Sequence, residues 1–163
     1  MRRIHKWFLV FASAIMVQCQ DSTVLHRTYV STASGWNMPI RFEMSGSLLK
    51  NKKLNFFIHL RNNDDYPYSN IFLIASIKDS LQTIVTDTLE YGMATPQGKW
   101  LGSGFSGLKE SKLWWKEGYE WDDFSGSTIV EIKQVVRNNG SEKGVENLPG
   151  IVDVGISIEN YLE

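Results

Sequence analysis

Residues 54 to 61 read Leu-Asn-Phe-Phe-Ile-His-Leu-Arg, and the period of that stretch is two. Leu54, Phe56, Ile58 and Leu60 fall on one side, and Asn55, His59 and Arg61 on the other, with Phe57 the exception. Successive side chains of a strand point to opposite faces, so this pattern predicts a half-buried β-strand.

The same period recurs on both sides. Leu25 to Tyr29 and Arg41 to Met44 alternate before it, and Thr83 to Tyr91 and Thr128 to Val136 alternate after it. Ile71 to Ile77 is apolar on both faces, as a central strand would be. The aromatic and charged run Leu113 to Trp121 reads as a strand and turn, and Val152 to Ile158 as a closing strand. Between them lie turn-forming segments: TASGWNMP, RNNDDYPYSN (61–70), GMATPQGKWLGSGFSGLK (92–109) and RNNGSEKGVENLPG (137–150). A short helical turn is expected around Glu142 to Leu148. No amphipathic helix of three turns is visible.

Seven or eight strands and almost no helix leave a second sheet as the only cover for a one-sided sheet. The expected fold is therefore all-β, a two-layer antiparallel sandwich, with a small closed barrel as the alternative. A composition of 42% hydrophobic and 21% charged residues suits one globular domain. Cys19 is the only cysteine, so an intersheet disulfide is excluded.

The start of the chain is organised differently. MRRIHK is basic, and Trp7 to Val17 is an apolar run of 11 residues. That is short of the ~20 residues a membrane span needs, and suits a secretory signal. Cys19 follows at once. A lone cysteine at the end of a signal has a physical use as the attachment point of a diacylglycerol, whose chains each bury about 0.8 kcal/mol per CH₂. The residues before it, Met16-Val17-Gln18, depart from the usual lipobox, in which a small residue precedes the cysteine. The expected organisation is a lipoprotein signal peptide at 1–18, a lipidated Cys19 and short tether at 19–24, and one domain at 25–163. A type I signal cleaved near Ala12 to Ala14 is the alternative.

Charge narrows the function. The chain has 17 Lys+Arg and 18 Asp+Glu, and without Arg2, Arg3 and Lys6 the balance falls to 14 against 18, about −4. A mildly acidic domain without a basic stripe lacks the phosphate-neutralising surface that nucleic-acid binding needs. GSGFSG at 102–107 fits G-x-G-x-x-G but sits in an all-β context, where it reads as a loop. His5, His26 and His59 have no zinc spacing, and DDYPYSN lacks the calcium-loop pattern. There is no G-x-S-x-G elbow, and the carboxylates at 64–65, 110, 117, 120 and 122–123 cannot be paired across a cleft by sequence. No cofactor and no catalytic group is expected.

The aromatics are concentrated. Trp100, Trp114, Trp115, Tyr119 and Trp121 lie within 22 residues, among Lys99, Lys109, Lys112 and Lys116. Such clusters occur in cores, in protein interfaces and on sugar-binding faces, and all three readings stay open.

Three stretches carry a resemblance. NFFIHLRNNDDYPYSNIFLIASI (55–77) holds an LRNN–DYP–SN–FL pattern. TDTLEYGMATPQGKWLGSGFSGLKESKLWWKE (86–117) holds DTLEY–MA–P–GKWLG–G followed by KE–KLW. VVRNNGSEKGVENLPGIVDVG (135–155) holds R-x-NG and L-x-GI-x-DVG. In order and spacing these resemble the gliding motility-associated lipoprotein GldH family of Bacteroidetes. Trp115 stands where members often have Tyr. The resemblance implies an envelope lipoprotein with Cys19 as the lipid site, without enzymatic activity or cofactor, associated with the gliding apparatus and its linked type IX secretion system. In these terms the expected mechanism is a membrane-anchored adaptor, expected to face the periplasm, whose partner contacts we place at Asp65, Tyr66, Trp100, Trp114, Trp115, Tyr119 and Trp121. A glycan- or peptidoglycan-binding module is the alternative, and a hydrolase a distant third.

Overall fold

The structure, a computed structural model, describes residues 23–32, 35–45, 49–79, 82–121 and 127–162. The leader and Cys19 lie outside them. Eight strands follow in order: β1 (Val24–Ser31), β2 (Ile40–Ser45), β3 (Lys53–Asn62), β4 (Asn70–Lys78), β5 (Thr83–Gly92), β6 (Lys109–Glu120), β7 (Ser127–Gln134) and β8 (Ile151–Asn160). They form two four-stranded sheets, ordered β1-β8-β3-β6 and β2-β7-β4-β5. Every pairing is antiparallel.

The two sheets stay separate, so the fold is a sandwich and not a closed barrel. Leu54, Phe56, Ile58 and Leu60 of β3 are fully buried and face the second sheet, as their alternation predicts. Across the core stand Ile71, Leu73, Ala75 and Ile77 of β4 with Val130 and Ile132 of β7, and beside β3 stand Val154, Ile156 and Ile158 of β8. Strand β4 lies inside its sheet between β7 and β5, the place its two-sided apolar run requires. Side chains close the β5–β6 side. The Trp115 indole donates to Asp87 at 2.9 Å, the Lys116 ammonium pairs with the same carboxylate at 2.9 Å, and the Tyr91 hydroxyl donates to the Trp114 carbonyl.

The register gives the sandwich two distinct ends. Val24 pairs with Glu159, and Lys53 pairs with Glu120, so the start of β1 lies at the same end as the start of β3 and the end of β6. Asn62 pairs with both Ile151 and Lys109 at the opposite end, which receives segments 35–39, 63–69, 93–108 and 135–150.

Two expectations are corrected. The predicted helical turn at Glu142 to Leu148 is absent: Gly144 bridges Arg137 and Leu148 bridges Trp36, so extended backbone hydrogen bonds take the donors a helix would use. His59, expected on the exposed side of a half-buried strand, is 2% exposed. It does point away from the core, but the outer face above it is covered by charged side chains.

Candidate partner interface

The long segments at one end of the sandwich are tied into a single body. Asn63 shapes the first of them: its amide group donates to the Asp65 carboxylate at 2.9 Å, and its side-chain oxygen accepts the Asp65 backbone N–H at 3.1 Å. This is the local turn that Asn and Asp favour. Tyr66 then folds inward, 3% exposed, and donates its hydroxyl to the Asn70 carbonyl at 2.7 Å. Burial pushes that phenol well above its ordinary range.

Segments 93–108 and 135–150 both reach this turn. The Trp100 indole donates to Asp64 at 3.0 Å, and its ring lies 6.2 Å from that of Tyr66. The backbone N–H of Met93 donates to the Ser69 carbonyl at 2.7 Å. The Tyr68 hydroxyl donates to Asn138 at 2.6 Å. Asn63 N–H donates to the Gly150 carbonyl at 2.9 Å. Gly150 has φ 76°, and a Cβ there would stand 2.1 Å from the Tyr66 nitrogen, so the position admits no side chain. Gln134 pins the last segment at both ends of its amide, donating to the Val145 carbonyl at 2.6 Å and accepting from Val136 N–H at 3.0 Å.

The seven residues singled out for partner contact therefore separate. Asp65 is exposed at the tip of the end cluster, and Trp100 is partly exposed beside it. Tyr66, Trp115 and Trp121 are buried, the last two against Phe56, whose ring lies 5.8 Å from Trp115 and stacks on Trp121 at 5.7 Å. Tyr119 is half-buried and meets Phe56 edge-on at 5.8 Å. Trp114 is 52% exposed on the outer face of β6, tilted against Phe57 at 4.2 Å. Asp65 and Trp114 keep the most open surface, and they lie on different parts of the molecule.

A polar network, not read from sequence as such, covers the outer face of β3 and its neighbours. Glu110 is its centre. Its Oε1 accepts the Tyr29 hydroxyl at 2.7 Å and faces His59 Nδ1 at 3.2 Å, and its Oε2 accepts Arg61 Nε at 2.8 Å. His59 Nε2 meets the buried Ser157 hydroxyl at 2.8 Å. The carboxylate can only accept, so Nδ1 donates to it, and the Ser157 hydroxyl, which also lies 3.2 Å from Glu159 Oε1, has one proton for two neighbouring acceptors. Burial alone would raise the Glu110 carboxyl, but the bonds from Arg61, Tyr29 and His59 hold it below its ordinary value. Burial lowers His59 below its ordinary 6.5, against the pull of the Glu110 carboxylate. The signal for this network was the outward alternation of His59 and Arg61, with Glu110 brought opposite Arg61 by the β3–β6 register.

The serine–histidine–carboxylate order in this network is not an exposed nucleophile, because Ser157 is fully buried in the middle of β8. Among the described residues no group of three or more His, Cys, Asp or Glu side chains is arranged to hold a metal ion. No helix among them is long and apolar enough to cross a membrane.

A family model described as GldH lipoprotein matches residues 24–158. The chain is 40% identical over 161 residues to the "Gliding motility lipoprotein GldH homolog" of Christiangramia forsetii, covering 98% of each chain. It is also 40% identical over 161 residues to the "Gliding motility lipoprotein GldH" of Flavobacterium johnsoniae, again covering 98% of each. Among solved structures, the infectious bursal disease virus VP2 subviral particle aligns with 82% of this chain and 33% of that one, at 14% identity. Its TM-score is 0.33, too low to bear on the fold or the function.

Proposed function

The chain belongs to the GldH lipoprotein family, and from that premise we propose that it is a lipid-anchored, non-enzymatic envelope lipoprotein serving as an adaptor in the gliding motility and type IX secretion apparatus. Cys19 carries the lipid in this reading, and the domain faces the periplasm.

What carries the proposal is the polarity of the sandwich. The stretches that resemble the family most, around Asp65, Trp100 and Gly150, interlock at one end. Strand β1 starts at the other end, at Val24, five residues after Cys19. A lipid on Cys19 would hold that end against the bilayer. Strands of eight to ten residues rise about 3.3 Å per residue, so the interlocked segments would stand roughly 30 Å further out. A rigid domain that presents loops away from its anchor is suited to docking a second envelope protein, and confinement to the membrane raises its effective concentration there.

The experiment is cross-linked co-purification of the tagged protein from native membranes. Recovery of gliding or secretion proteins, reduced by Asp65→Ala without loss of the fold, supports the adaptor. Equal recovery from wild type and the variant removes the loop end as the contact face.

A further inference from the structure

The outer face of the β1-β8-β3-β6 sheet carries a trough that the adaptor reading does not use. One part, about 510 Å³, lies between the sheet and segment 103–108, with Arg61, Glu110 and Phe105 among its walls. A second part, about 440 Å³, continues along β6 past Phe57 and Trp114. Lys112 lines both, so the two lie side by side along this face. From Glu110 to Trp114 the strand advances roughly 13 Å, and these two residues and Lys112 point to the same side. The trough is thus long enough for several sugar rings, and each part falls within the usual size of a ligand site.

Its chemistry is unusual for a sheet face. The charges are many but already matched. Arg61 meets Glu110 at 2.8 Å and Asp153 at 3.5 Å, Lys112 meets Glu159 at 2.7 Å, and Arg27 meets Glu159 at 3.6 Å. The pairs hold one another in fixed orientations, and their charges cancel. A phosphate or an acidic peptide would have to break a pair to gain a partner. A neutral polyol would not, because Arg61 has five N–H groups and each carboxylate about four acceptor sites, and the pairs leave some of these unused. Two aromatic rings stand beside these groups: Phe105 is 88% exposed and Trp114 is 52% exposed. Exposed rings of that kind, flanking oriented polar groups, match the two sides of a pyranose: its C–H face stacks on a ring and its hydroxyls bond to the charges.

We propose that this trough binds a neutral glycan chain, with Phe105 and Trp114 as stacking platforms and the Arg61–Glu110 and Lys112–Glu159 pairs as partners for its hydroxyls. Tyr29 and His59 act as positioning residues, holding Glu110 from below at 2.7 and 3.2 Å. Trp114 and the ion pairs lie on the sheet face, whereas Phe105 belongs to segment 93–108 of the loop end.

The test is titration of the full chain, held in a detergent without a sugar headgroup, with neutral hexaoses of cellulose, xylan, amylose and chitin, followed by tryptophan fluorescence. Saturable quenching by at least one of them is expected. Phe105→Ala and Trp114→Ala should each weaken it about tenfold, without shifting the melting temperature by more than a degree or two. The proposal is overturned if no hexaose saturates, if both variants bind like wild type, or if only an acidic hexapeptide or anionic vesicles saturate.

Discussion

Glu110 shows how one side chain can organise a surface. It satisfies Tyr29, His59 and Arg61 at once, and bonds to a charged acceptor are each worth about 1.5–3 kcal/mol. The side chain is about one-third exposed, so solvent screening trims that sum. Glu110→Gln keeps the shape but loses the charge, and should cost about 2 kcal/mol in urea unfolding. His59 sets the pH response. Its folded value lies below the ordinary 6.5, so the unfolded chain takes up a proton first as pH falls. The stability it contributes is complete above the unfolded value and declines as pH drops below about 6.5. Glu110, Asp87 and Glu131 have lowered values too, and add a second decline below their ordinary carboxyl range. A urea midpoint measured against pH should therefore fall in two stages, and His59→Gln should remove the first. Gly150 makes a different residue-scale demand. A Cβ there collides with Tyr66 backbone, and a non-glycine residue at φ 76° adds strain, so Gly150→Ala should cost roughly 3 kcal/mol by thermal unfolding.

At the scale of the element, β6 is the informative strand. Trp114 and Trp115 are neighbours in sequence with opposite environments, 52% and 7% exposed. Trp115→Ala should destabilise by about 3–5 kcal/mol, since it empties a site against Phe56 and strips Asp87 of a donor. Trp114→Ala should cost under about 1 kcal/mol, and its effect should appear in binding instead. Chemical denaturation of the two variants decides this directly. The sequence reading placed both tryptophans in one contact cluster, because composition counts residues without assigning faces. Strict alternation would have separated them, but β6 carries irregular pairing between Leu54 and Phe57 of its partner, where counting by twos fails. Strands β3 and β4 were legible because their alternation and their two-sided apolar run are set by burial alone. Segment 142–148 was not, because Leu148 bridges Trp36, far away in the chain, and Gly144 bridges Arg137 across a short loop with no alternation to mark it. Phe57, the exception in the opening stretch, points outward yet is 5% exposed, covered by Trp114 and by the Lys112 ammonium 3.9 Å over its ring. An amphipathic lysine stem makes such a position tolerable, and no pattern of apolar letters reveals it.

At the scale of the molecule, the sandwich has two ends with different roles in the proposed function. The end where β1 begins is the natural anchor side, and the opposite end gathers every long segment. That polarity follows from antiparallel pairing throughout: each crossing of the sandwich alternates the ends, so long and short connections sort to opposite sides. The sequence showed which connections were long, but only the strand register shows that they meet. The anchor itself has a separate test. Cys19→Ala should abolish palmitate labelling and release the protein from sedimented membranes, and persistence of the label would remove Cys19 as the lipid site.

The most direct test of the adaptor is the cross-linked co-purification from native membranes, run on wild type, Asp65→Ala and Trp115→Phe. The account predicts that wild type and the core variant recover the same gliding or secretion proteins, while Asp65→Ala, folded and still membrane-bound, loses most of them. Recovery of no such protein by the wild type, or undiminished recovery by Asp65→Ala, would contradict it.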